Sequence, residues 1–477
     1  MAIVLVLGVA SGLQAQSPPQ DTLMYHVAVL PAQRHLSVEG RLTVSGAGAV
    51  SLVLPPRAAP AGTSVLGFAA TDDRGTPLPV QRTGSGFVVD GIRSGAVRFR
   101  YRLDFSDSVS GGSTASGFDS TRLYAITRSL FVAPDPVANR KTWRPYPLVR
   151  VRFALPEGWR LITNWDTAGA EYRPRSGDDL LEGALAAAAD YRVYANRAAM
   201  AAFTVAVRGR RAFPDSVLVD VIAASLRYGA AAFGPVPVQR VVYISDAGRK
   251  GRASGSLQGR SSIGLLWEPG EMLERPRSHD TFHETLHLWF GGAMEAERWW
   301  TEGVTDYFAA RLYAEWRNDP ADLAALCYES WRNYERIPHR TAMTMAEESR
   351  SLPGGDNAIR LVYRKGMLAG LLLDAAVRRG SGGRENLSDV ARRLLALAAN
   401  RRLHRVAGGE VRDAVLAAGG AVASREWDRV VAGTAPISQQ QVADALRAVT
   451  GLVLPPPEPV AAPKTLANTP NPDERTP

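Results

Sequence analysis

Between residues 20 and 205 apolar and polar side chains alternate one for one, as in Tyr25-His-Val-Ala-Val-Leu30, Val97-Arg-Phe-Arg-Tyr-Arg-Leu103 and Val149-Arg-Val-Arg-Phe153. Successive side chains of a strand point to opposite faces, so this period predicts half-buried strands, and the Gly, Pro and Asp between them predict turns. The expectation is an N-terminal antiparallel β domain over 20–205, with the Ser- and Gly-rich run 106–120 as a mobile loop. Near Phe213 and Pro214 the period changes. Ala223 to Phe233 repeats at helical spacing, Val241 to Ile244 reads as a strand, and the chain from there to about Thr450 is mostly helical. This predicts an α/β catalytic domain over 214–345 and a helical C-terminal subdomain over 346–454. The Pro-rich tail over 455–477 has too little apolar surface to fold. No internal repeat is visible.

The 477 residues imply two or three domains, and 45% hydrophobic with 22% charged is ordinary for a globular protein. The net charge of +9 comes largely from arginines spread along the chain. Its clearest cluster, Arg208-Gly-Arg-Arg211, reads as a solvated surface; no nucleic-acid motif accompanies it, and no such partner is expected. Cys327 is the sole cysteine, which excludes an intramolecular disulfide and a cysteine metal cluster. Residues 1–15, with the apolar run Ile3 to Val9 and small residues at Ala10, Ser11 and Ala15, read as a secretory signal peptide lacking the usual preceding basic residue. Export to a periplasmic or extracellular location is expected, with an N-terminal membrane anchor as the alternative. No other transmembrane segment is expected.

The chemistry concentrates in His283-Glu284-Thr285-Leu286-His287 and, further on, Trp300-Thr301-Glu302-Gly303. Residues four apart on an α-helix lie about 40° apart around its axis, so two imidazoles reach one metal ion with Glu284 beside it. Ser278 and Asp280 are the expected caps of that helix, Phe282, Leu286 and Phe290 its packing stripe, and Gly291-Gly292 its stop. A second helix is predicted from Trp299 or Trp300 through Leu312, with Glu302 and Asp306 on one face. Zinc accepts imidazole nitrogen and carboxylate oxygen, and a catalytic zinc keeps its fourth position for water. His283, His287 and Glu302 are therefore candidate ligands of one Zn²⁺, and Glu284 the candidate general base. Asp306 is a candidate to accept the outer N–H of a ligand histidine and fix its tautomer. A zinc peptidase acting on a peptide or protein is the first reading; a catalytically silent peptide-binding protein is the second.

Three blocks in this order, His283-Glu-Thr-Leu-His-Leu-Trp289, Trp299-Trp-Thr-Glu-Gly-Val-Thr-Asp-Tyr307 and Tyr363-Arg-Lys-Gly-Met-Leu, resemble the motifs of the glycyl aminopeptidase family, within the gluzincin clan that also holds thermolysin. The resemblance implies a thermolysin-like catalytic domain, aminopeptidase action, and Tyr363 as the phenol that hydrogen-bonds the oxyanion of the transition state. It is strongest between about 240 and 380. Three departures stand out. Only residues 288–301 separate His287 from Glu302, which demands a tight connection. The family's usual C-terminal PDZ domain is not expected here. In Gly255-Ser-Leu-Gln258, Gln258 falls where the family carries a glutamate that grips the substrate's α-amine. Gln258 is thus a candidate substrate-binding residue without the charge, and a zinc endopeptidase stays open beside an aminopeptidase.

Overall fold

A computed structural model describes residues 22–44, 48–53, 63–84, 86–93, 95–105, 116–134, 148–175, 177–246, 254–267, 275–350, 356–401 and 404–456. The expected leader, the tail beyond 456 and most of the 106–120 loop lie outside the described residues. Two compact units divide the chain: 1–192 with 249–254, and 193–248 with 255–477.

The first unit is built on an eight-stranded sheet in the order Asp166–Ala168, Glu171–Arg173, Leu148–Ala154, Thr22–Leu30, His35–Val44, Gly95–Phe105, Thr63–Thr71, Pro77–Leu78, with two four-stranded sheets beside it. The alternation does what the sequence predicts. Val27, Leu36, Val38, Tyr101 and Leu103 are buried while His26, Glu39, Arg98, Arg100 and Arg102 on the opposite face are exposed. Gly40 leaves the space that the Phe99 ring fills, since a Cβ there would lie 2.1 Å from the ring. One expectation is corrected: Thr22–Leu30 runs parallel to Leu148–Ala154, so the sheet is mixed and not wholly antiparallel. A parallel pair needs a crossover of a dozen residues or more, and the long chain between these strands supplies it. Alternation shows faces and is blind to direction.

The second unit opens with a five-stranded sheet in the order Arg192–Ala198, Ala201–Arg208, Arg240–Asp246, Ser262–Leu266, Ser254–Gln258. Its central three strands are parallel. The strands at 192–198 and 201–208, which alternation groups with the N-terminal domain as far as 205, pair here instead, because the parallel partner of Ala201–Arg208 arrives through the crossover helix Asp215–Phe233. That helix is long and apolar enough to cross a bilayer, yet Leu218, Ile222, Leu226 and Phe233 are buried in the core. Beyond the sheet the chain is helical, principally Arg275–Leu286, Thr305–Arg317, Pro320–Glu335, Asp356–Ser381, Leu387–Ala399, Gly408–Val430 and Gln439–Thr450. Their apolar faces share one continuous core with the sheet. The arginine cluster at 208–211 is less solvated than its charge suggests. Arg208 lies 3.7 Å from buried Asp246, while Arg211 donates to Ser245 Oγ at 2.8 Å and stacks on Trp267.

Candidate metal centre

The helix that carries the first motif begins at Arg275, a turn before the predicted caps, so Ser278 and Asp280 lie inside it and Asp280 pairs with Arg277 at 2.8 Å. Its packing stripe is as expected, with Phe282, Leu286 and Phe290 fully buried. Thr285 fastens the helix to its neighbours: the hydroxyl donates to Thr281 O at 2.8 Å, accepts from Ser225 Oγ at 3.0 Å and lies 3.2 Å from the Tyr243 hydroxyl. The last turn then tightens, with Leu288 and Trp289 bonding three residues back, and Gly291 at φ 117° lets the chain reverse. A bond from Gly291 N to Met294 O closes the short connection to the second motif.

The second motif departs from its expected form. Trp299–Val304 is a π-turn, and the α-helix starts only at Thr305 and runs to Arg317. Glu302 sits in that wider turn, one helical turn before Asp306. Such turns are rare and concentrate at functional sites.

The donor atoms converge. His283 Nε2 and His287 Nε2 are 3.0 Å apart, and Glu302 Oε2 lies 3.6 and 3.5 Å from them. Tetrahedral zinc with bonds of about 2.0–2.2 Å to nitrogen and oxygen needs donors about 3.3–3.6 Å apart. The two edges to Glu302 meet that spacing and the edge between the histidines is slightly short of it, so a small outward shift of the rings would suit that ion. Each ring is held by its other nitrogen: His287 Nδ1 is 2.8 Å from Phe290 O, and His283 Nδ1 is 3.1 Å from Asp306 Oδ1. Both partners are hydrogen-bond acceptors, so each Nδ1 carries the hydrogen and each Nε2 lone pair faces the triangle. Burial opposes charge on Glu302, yet His287 and His283 outweigh it and hold the carboxyl well below the usual range. Burial acts on Glu284 without such full compensation and raises its pKa, although both histidines pull the other way.

Tyr363, on helix Asp356–Ser381, donates its hydroxyl to Glu302 Oε2 at 2.7 Å. Burial and then the neighbouring Glu302 carboxylate push the phenol well above its ordinary pKa, so it stays a donor. Two glycines make this reach possible. A Cβ on Gly303 would lie 2.4 Å from Val362 O and 2.5 Å from Gly366 Cα, and one on Gly366 would lie 2.9 Å from Gly303 Cα. The π-turn and the Tyr363 helix therefore touch backbone to backbone.

Strand Ser254–Gln258 is packed against the base: a Cβ on Gly255 would lie 2.2 Å from Glu284 Cγ. Gln258 itself is buried and donates to Ser256 Oγ at 2.8 Å; among the described contacts none joins it to the donor triangle. The structure thus brings together His283, Glu284, His287, Glu302, Asp306 and Tyr363, and approaches Gln258 only through Gly255. Sequence reasoning missed His279 and the glycines at 255, 303 and 366. His279 was visible as a third histidine at the same four-residue spacing; the glycines stand in the quoted motif stretches, but the close contacts they allow are with residues distant in sequence.

No family model matches the sequence, and no curated protein matches it. Solved structures do. An aminopeptidase N family protein from Idiomarina loihiensis superposes with a TM-score of 0.76 at 16% identity, covering 89% of this chain and 78% of that one. An M1 zinc metallopeptidase from Deinococcus radiodurans superposes with a TM-score of 0.56 at 15% identity, covering 88% and 95%. A variant of the latter, bound to a Tyr-Ser-Ala substrate, gives 0.56 at 16%, covering 88% and 95%. The chain shares the fold of aminopeptidase N family and M1 zinc metallopeptidases, a β-rich N-terminal region followed by a helical one, in line with the resemblance read from its motifs.

Proposed function

We propose that this protein is a zinc-dependent peptidase that hydrolyses peptide bonds with an activated water and acts as an aminopeptidase. The observation that carries the reading is the triangle of His283 Nε2, His287 Nε2 and Glu302 Oε2, with edges of 3.0–3.6 Å and both imidazoles anchored from behind. These three residues would hold one Zn²⁺. When bound, zinc acidifies a water and polarises a carbonyl. Glu284, beside the two ligand histidines and with a pKa raised by burial, takes the water's proton and delivers it to the leaving amine. The Tyr363 hydroxyl, 2.7 Å from a ligand oxygen, donates to the carbonyl oxygen as it gains charge.

A peptide substrate fits the solved relative that binds Tyr-Ser-Ala. Neutral Gln258, in place of the expected amine-binding carboxylate, favours the endopeptidase alternative as a second reading. Export of the enzyme is part of the proposal and rests on the apolar opening of the chain. The test is hydrolysis of a peptide library with free and acetylated N termini by wild type and by Glu284→Gln. The variant is expected to lose about 10²-fold or more in kcat, since acid–base catalysis contributes about 10²–10⁴. Equal rates would remove Glu284 from the mechanism, and equal cleavage of free and blocked peptides would replace aminopeptidase with endopeptidase action.

A further inference from the structure

The first-motif helix carries three histidines in one stripe, at 279, 283 and 287. Two of them aim at the donor triangle. The third turns toward helix Thr305–Arg317, where its Nε2 lies 3.1 Å from Asp306 O and 3.4 Å from Asp306 Oδ1. A carbonyl oxygen only accepts, so His279 Nε2 carries the hydrogen. His279 is 7% exposed, and its other nitrogen lies 3.8 Å from Asp280 Oδ1. Asp306 is also buried, and its Oδ1 is the atom that receives His283 Nδ1 at 3.1 Å. Two imidazoles one turn apart on one helix therefore clamp a single residue of another.

We infer that His279 is a positioning residue for the metal centre: its bonds to Asp306 hold that carboxylate on His283 Nδ1, and so keep His283 in the tautomer whose Nε2 faces the other donors. His279 touches neither the donor triangle nor Glu284 in any described contact, so its effect passes through Asp306. A carboxylate free to rotate away would release the His283 ring, and each ligand that must be ordered at the moment of binding weakens the site. Partners of metal-ligating histidines contribute about 10–100-fold to metal affinity, and a residue one bond further out belongs at the lower end, about 10-fold.

The inference rests on the zinc reading, and the experiment separates the two. Zinc affinity of the full chain is measured by competition with a chromophoric chelator, for wild type, His279→Leu, His279→Gln, Asp306→Ala and the double variant His279→Leu/Asp306→Ala. The melting temperature of each metal-free protein is recorded alongside. His279→Leu should bind zinc about 10-fold more weakly, while His279→Gln, whose amide places a donor near Nε2, should restore affinity to within about 3-fold of wild type. In the Asp306→Ala background the leucine change should cost less than about two-fold, because the residue it acts through is gone. A general structural role would lower affinity equally in both backgrounds, and that result overturns the inference. So does a His279→Leu protein that binds as tightly as wild type. If His279→Leu does not fold, His279→Asn, polar but too short to reach Asp306, takes its place in the same comparison. A wild type that takes up no zinc defeats the metal reading itself, and this inference with it.

Discussion

The two units bury polar groups in different ways. In the sheet unit they are chiefly hydroxyls answered by backbone: Tyr25 donates to Val132 O at 2.7 Å, and Tyr101 donates to Leu130 O at 2.7 Å while accepting from Val132 N at 3.0 Å. The helical unit buries such hydroxyls too, Ser225, Thr281 and Thr285 among them, but adds clusters of charges answered by charges. Asp374, fully buried, receives Tyr307, Arg311 and the Leu387 backbone; Lys365 faces Glu348, both without exposure; and His279, His283, His287, Glu302 and Asp306 form one connected group. A buried hydroxyl with its partner stabilises one arrangement of the chain. A buried charge is far costlier to hold, so a structure that gathers several in one place holds them for chemistry or tight fastening. Among the described residues, this concentration of buried ionisable groups marks the candidate centre.

The contrast can be broken at four points. Removing metal with a strong chelator should lower turnover about 10³-fold or more, since a metal supplies several kcal/mol of charge stabilisation, and added zinc should restore it. Survival of full activity after complete zinc removal would leave the charged cluster with a structural role only. Next come two tyrosines, one from each unit. Tyr363→Phe should lower kcat about 10²-fold with little change in denaturation midpoint, because it deletes one donor aimed at developing charge. Tyr101→Phe should do the reverse: it leaves Leu130 O and Val132 N without their partner, so about 2 kcal/mol of stability should go while kcat of the folded protein holds within about two-fold. A swap of these outcomes would erase the distinction between the units. The smallest effect is expected at Gln258→Glu. There an added charge should raise the rate ratio of free to acetylated peptides about 10-fold, as a charge-assisted bond is roughly twice as strong as a neutral one. An unchanged ratio would show that Gln258 does not meet the substrate's amine.

Much of the centre was legible because it is local. Glu284 and the two histidines share a single helical turn, and Glu302 and Asp306 share the next element, so spacing alone groups them. Tyr363 came only from the resemblance; nothing in its own helix marks it out from a packed aromatic. What escaped depends on contacts distant in sequence. The direction of Leu148–Ala154 against Thr22–Leu30 is set by a crossover that alternation does not record. The assignment of 201–208 to the second sheet depends on a partner strand at 240–246. The π-turn at Trp299–Val304 differs from an α-turn by the width of one residue, which apolar periodicity does not resolve over so short a span. His279 is the instructive miss: its spacing was plain, but its partner lies 27 residues away.

The meeting of Gly303 with Gly366 works as a fixed gauge in the middle of the helical unit. Side chains elsewhere in the core settle into whichever rotamers fill space, and small substitutions there are absorbed by repacking. Main chain resting on main chain has no such slack. The separation between the Glu302 carboxylate and the Tyr363 phenol is consequently set by the absence of two methyl groups, and drift in the surrounding hydrophobic residues leaves that span untouched.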